Sequence, residues 1–112
     1  KRKALTMKAE PEKNDWVFAV IENPGEKENF LGYTDRETGV PTIPIFLDKE
    51  DAQACFPRLP QRAGGKYEIQ AVLFSELCRD AARNGFEIVL LNGLGVIVNR
   101  IDPAAAAADD SC

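Results

Sequence analysis

Tyr67-Glu-Ile-Gln-Ala-Val-Leu73, Ser75-Glu-Leu-Cys-Arg-Asp-Ala-Ala-Arg-Asn84, Phe86-Glu-Ile-Val-Leu-Leu91 and Val96-Ile-Val-Asn-Arg-Ile101 form the stretch that decides the fold. The first piece alternates. Tyr67, Ile69, Ala71 and Leu73 fall on one side, and Glu68 and Gln70 on the other, which is the period of a strand. The second changes period. Leu77, Cys78, Ala81 and Ala82 make a narrow apolar stripe at helical spacing, with Glu76, Arg79, Asp80 and Arg83 on the wet side. Ser75 is read as its cap and Asn84-Gly85 as its stop, with Gly85 left-handed. Ile88–Leu91 is a continuous apolar run and reads as a buried strand. Asn92-Gly93 predicts a type I′ turn, because both central residues then need positive φ. Val96–Ile101 returns antiparallel.

Working backward, Asp48 predicts the start of a first helix, with Asp51 three residues on. Ala52, Cys55, Phe56 and Leu59 share one face, and Pro57 ends or kinks the helix. Thr42-Ile-Pro-Ile-Phe-Leu47 reads as a strand. Pro44 has no N–H, so that strand is expected at a sheet edge, or paired on one side only near that residue. Trp16–Ile21 reads as a central strand buried on both faces. Pro24-Gly25 predicts a type II turn with positive φ at Gly25. Phe30–Thr34 reads as a short strand in which Gly32 marks a bulge or a close backbone approach. Asp35–Gly39 is a second turn. Pro60–Lys66 reads as a flexible loop.

The expected fold is α+β: one mixed β-sheet with two short helices on one face, in the order β-β-β-α-β-α-β-β. The expected organisation is an N-terminal tail over 1–14, a single domain over 15–101 and a C-terminal tail over 102–112. Met7 is expected to be the natural start, with six foreign residues before it.

Composition fits one small globular domain: 112 residues, 45% hydrophobic and 29% charged. Five bases against two acids give residues 1–13 a charge of +3, which leaves −7 for the rest of a chain of net charge −4. The core domain is therefore expected to repel nucleic acid, and the basic start to be a solvated tail. No apolar run approaches the ~18–20 residues of a membrane helix, so no membrane partner is expected. Three widely spaced cysteines suggest no disulfide framework and place the chain in a reducing cytoplasm.

Chemistry is bounded by absences. There is no histidine, which removes the commonest general base and zinc ligand. Cys55 and Cys78 lie on apolar stripes and read as core thiols; Cys112 ends the chain. Asn92-Gly-Leu-Gly95 begins like a dinucleotide loop, but a strand follows it where a helix is needed. Ala63-Gly-Gly-Lys66 lacks the first glycine and the Ser/Thr of a phosphate loop. Asp48, Glu50 and Asp51 have the donors for a hard cation, yet a cap explains them more simply. Trp16, Phe30 and Tyr33 have the rings for a stacking surface, and core packing is the simpler reading. No catalytic, metal or cofactor residues are assigned.

Thr42-Ile-Pro-Ile-Phe-Leu-Asp-Lys-Glu-Asp-Ala-Gln-Ala54 resembles a stretch of the SseB protein N-terminal domain family, where a strand ending in Phe leads to a cap and an acidic helix. Ala71-Val-Leu-Phe-Ser-Glu-Leu77 and Gly85-Phe-Glu-Ile-Val-Leu-Leu-Asn-Gly93 resemble its second half, except that the family usually has Asn-Pro where this chain has Asn92-Gly93. The resemblance spans about Asp15 to Ile101. It implies a bacterial cytosolic module with no agreed enzymatic activity and no catalytic residues to transfer.

The function expected from all this is a non-catalytic module that binds another protein or a small ligand. The expected surface is the edge at Thr42, Ile43, Pro44 and Ile45, together with the Asn23–Asn29 and Pro60–Lys66 loops. The alternatives are a homodimer through sheet edges and, further off, an enzyme working with carboxylates alone.

Overall fold

The computed structural model describes residues 11, 12 and 14–104. Its elements are β1 (Trp16–Glu22), β2 (Asn29–Phe30), β3 (Tyr33–Thr34), β4 (Pro41–Phe46), α1 (Lys49–Cys55), β5 (Tyr67–Leu73), α2 (Phe74–Asn84), β6 (Glu87–Leu91) and β7 (Ile97–Ile101). A 3₁₀ turn over Phe56–Arg58 follows α1, where Pro57 forbids its continuation. Most of the two tails expected from the sequence lies outside the described residues.

The seven strands form one mixed sheet, and pairing fixes their order. Phe18 faces Phe46 on one side and Ala71 on the other, so β1 lies between β4 and β5. Ile45 faces Ala19 and Leu90, so β4 lies between β1 and β6. β7 completes a hairpin with β6. The order across the sheet is β5-β1-β4-β6-β7, and only β4–β6 is a parallel pair.

β2 and β3 fill a wedge in this sheet. β1 and β4 pair at Phe18–Phe46 and Ala19–Ile45, then part. β2 continues the ladder on β1 through Ile21–Phe30, and β3 continues it on β4 through Tyr33–Thr42. The single strand expected over Phe30–Thr34 is thus two short ones. Between them Gly32 makes the close approach its identity suggested: a Cβ there would stand 3.0 Å from the Thr42 carbonyl oxygen and 3.1 Å from the Phe86 ring.

β4 is not an edge strand, which corrects the expectation for Thr42, Ile43, Pro44 and Ile45. All four are buried. The reason lies in the wedge. The pairings of β4 away from β6 cover residues 41, 42, 45 and 46 and skip 43 and 44. Pro44 therefore pairs with Val89 on one side only.

The helices are also not on one face. One core cluster joins Val17, Ala19, Ile43, Ile45, Ile88 and Leu90 to Leu77, Cys78 and Ala81 of α2. The other joins Val20, Phe46, Val89 and Leu91 to Ala52 and Cys55 of α1. Successive strand residues point to opposite faces, so the sheet is sandwiched between α1 and α2. Handedness explains this. β4, β5 and β6 run in the same direction. The chain crosses from β4 outward to β5 over α1, then back to β6 over α2. Two right-handed crossovers made in opposite directions put their helices on opposite faces.

Local chemistry otherwise follows the sequence. Asp48 caps α1, its Oδ1 accepting the Asp51 N–H at 2.8 Å. Gly85 ends α2 at φ 79°. α2, however, starts at Phe74, one residue before the expected cap, and Leu73 caps it without a side-chain bond. The 92–96 turn differs too. Gly95 rather than Gly93 has positive φ, and Asn92 Oδ1 accepts from the N–H groups of Leu94 and Val96. This is a type I turn closed by a left-handed glycine. No described helix is long and apolar enough to cross a membrane.

Candidate functional site

Where β1 and β4 part, a cleft of about 850 Å³ opens at the end of the sheet. That size suits a small ligand or a few residues of peptide. Its apolar floor includes Ile21, Phe30, Ile43 and Phe86. The bare backbone of Gly32 lets the Phe86 ring lie against the β2–β3 strap.

Three walls surround the floor. Glu22 and Glu28 come from the end of β1 and the loop after it and Asn29 from the start of β2, Gln61 and Arg62 from the loop before β5, and Asp80 and Asn84 from the last turns of α2. Backbone and side chains tie the first two walls together. The Asn23 N–H donates to the Lys66 carbonyl at 2.9 Å. Arg62 Nη2 stands 3.4 Å from Glu22 Oε1. In the Asn23–Asn29 loop, Gly25 takes the expected positive φ of 85° and its N–H donates to Glu28 Oε2 at 2.7 Å.

Tyr67 organises the second wall. Its hydroxyl accepts the Arg62 N–H at 2.6 Å, and its ring packs at 5.8 Å, tilted by 60°, on Phe56. A Cβ at Gly65 would come within 2.9 Å of that ring. Gly65 therefore serves close packing on Tyr67, whereas Gly64 supplies a left-handed φ of 78° with open space around it, and a second hollow of about 240 Å³ lies under this loop.

The structure thus joins two of the three pieces expected to form a binding surface, the Asn23–Asn29 and Pro60–Lys66 loops. Of the buried Thr42–Ile45 segment only Ile43 reaches the cleft. Asp80, Asn84 and Phe86 were not expected there. Asp80 and Asn84 on α2 and Phe86 just beyond it carry no local mark, and only the strand order brings them to the loops.

The other candidates resolve as structure. Asp51 accepts from the Gly93 N–H, and burial, then Asp48 and Glu50, push its carboxyl up. A Cβ at Gly93 would stand 3.1 Å from Asp51 Oδ1 and 3.3 Å from Ala54 Cβ, so Gly93 seats the hairpin on α1. No group of three or more potential metal ligands occurs among the described residues. Cys55 and Cys78 are buried, and burial pushes the Cys55 thiol up. Cys112 lies outside the described residues. Phe30 and Tyr33 pack partly into the core, as the simpler reading had it, whereas Trp16 is 60% exposed.

A polar link missed in the sequence ties the Asp35–Gly39 turn to β7. Asp35 is buried; its Oδ1 accepts from the Glu37 N–H at 2.8 Å and the Thr38 N–H at 3.3 Å. Its Oδ2 accepts from Arg100 Nη1 at 2.8 Å, and that bond holds the carboxyl below the usual carboxylate range.

Comparison with protein-family models, curated proteins and solved structures finds no match.

Proposed function

We propose that this chain is a small binding module that recognises its partner in the cleft between the Asn23–Asn29 and Pro60–Lys66 loops, without covalent chemistry of its own. One observation carries the reading. Two loops some forty residues apart in sequence are joined by the Asn23–Lys66 backbone bond, and the Arg62–Glu22 contact beside it lies in the lining of a cleft of about 850 Å³. Loops held by a rigid scaffold are where recognition concentrates. The cleft's polar side chains are carboxylates, amides, the Tyr67 phenol and one guanidinium, which bind by hydrogen bonding and charge. The resemblance of Thr42–Ala54 and of Gly85–Gly93 to the SseB N-terminal domain points the same way, toward a bacterial cytoplasmic module. The test is a pull-down from the source cell with wild type, with an Arg62→Glu/Glu28→Lys variant and with a Glu68→Lys control. Partners held by wild type and the control but lost by the variant support the reading; partners held by all three overturn it.

A second reading is a homodimer through a sheet edge. The observation that favours it is β7, an edge whose Val98, with Leu94 and Val96 just before it, is exposed. Size-exclusion chromatography with light scattering decides it: a monomer at every concentration removes it.

A further inference from the structure

We propose that the cleft takes an extended peptide segment bearing lysine or arginine; this rests on the reading of the cleft as the binding site and names its ligand. Shape is the first argument. Asp80 and Asn84 belong to α2 on one face of the sheet, whereas Gln61 and Arg62 lie beside Tyr67, which packs on the α1 face. The cleft therefore runs over the end of the sheet from one face to the other, and an elongated ligand reaches both ends. The floor is the second argument. Phe30 and Phe86 offer an apolar bed of the kind that the stem of a long basic side chain covers while its head stays polar.

Charge complementarity is the third. Three carboxylates, Glu22, Glu28 and Asp80, line the cleft against one guanidinium, Arg62, which already faces Glu22. Among the described residues Glu28 accepts from the Gly25 N–H and Asp80 from the Asn84 side-chain amide, and a carboxylate with two oxygens keeps acceptor capacity for a cationic head. An acidic or phosphate-bearing ligand would meet like charge at the same places, and the net charge of −4 adds to that preference.

The experiment is a titration of isotope-labelled full chain, followed by amide NMR shifts, with three synthetic peptides: acetyl-Gly-Leu-Arg-Leu-Arg-Gly-amide and its Glu and Gln counterparts. Spermidine is a fourth probe. The arginine peptide should shift the amides of residues 28–32 and 84–86. Glu28→Gln and Asp80→Asn should each weaken it by up to about fivefold, the scale of an exposed ion pair, and added salt should weaken it further. Glu28 is exposed and Asp80 half-buried, and both substitutions keep the hydrogen-bonding shape, so the variants should fold; their unbound spectra check this. If all three peptides shift these amides equally and the variants change nothing, the cationic preference falls while the cleft stands. Shifts confined to other surfaces overturn both. Spermidine binding as tightly at the same amides assigns the site to free polyamines and overturns the peptide, as does the absence of any shift.

Discussion

A methyl group at position 32 has no room: it would press on the Thr42 carbonyl at 3.0 Å and on the Phe86 ring at 3.1 Å. Gly25 is the opposite case, with open space around it but φ of 85°. Gly32→Ala should cost about 1–3 kcal/mol by overpacking, and Gly25→Ala about 1–2 kcal/mol by left-handed strain alone. Urea unfolding measures both. The two differ in the cleft: only Gly32→Ala moves Phe86, so only it should shift the aromatic NMR signals there. Asp35 makes a prediction in pH. Arg100 lowers its folded pKa, so the stability it contributes is fully present above the ordinary carboxylate value of about 4 and is lost as pH falls through the lowered folded value. Thermal melts of wild type and Asp35→Asn should lie apart at neutral pH and converge in acid. Curves that stay parallel down to the acid limit would contradict this.

At the scale of elements, the strands and helices were legible because their signals are local. β-branched runs, Asp48 as a cap and Gly85 as a stop each act within a few residues. The faces of the helices were not legible. They depend on which way each crossover moves, and that follows from strand pairs such as Phe18 with both Phe46 and Ala71. Pro44 was half legible for a related reason: the one-sided pairing expected near it forms, but the unpaired side that a missing N–H marks can face a wedge inside the sheet as well as solvent. The opposed helices are open to test. Leu77 and Leu59 belong to different core clusters, one under each helix. Leu77→Ala and Leu59→Ala should each cost about 2–5 kcal/mol, less for the slightly exposed Leu59, and their sum should match the double variant within about 0.5 kcal/mol. A coupling well beyond that would place both in one cluster. Asp48→Ala should cost about 0.5–2 kcal/mol by uncapping α1.

For the whole molecule, the candidate site was half legible. The two loops stood out by composition, but their meeting, and the addition of Asp80, Asn84 and Phe86, are products of topology. At this scale β7 is the last strand of the sheet among the described residues. Leu94 is 69% exposed, Val96 56% and Val98 50%, and no proline stands in β7 to blunt pairing. Arg100, the single charge on that strand, is turned to Asp35 and Glu37. Against association stands the net charge of −4. The two terms respond differently to salt. Charge repulsion is screened beyond about 10 Å at 0.1 M and about 3 Å at 1 M, whereas burial of apolar surface is not weakened by it. Light scattering should therefore show wild type gaining mass as salt rises from low to high at fixed protein concentration. Val98→Lys should remain monomeric throughout, with folding stability within about 0.5 kcal/mol of wild type, because an exposed side chain contributes little to the fold. Wild type that stays monomeric at high salt would mean that the twist of the hairpin is enough to close this edge, and that the dimer reading fails with it.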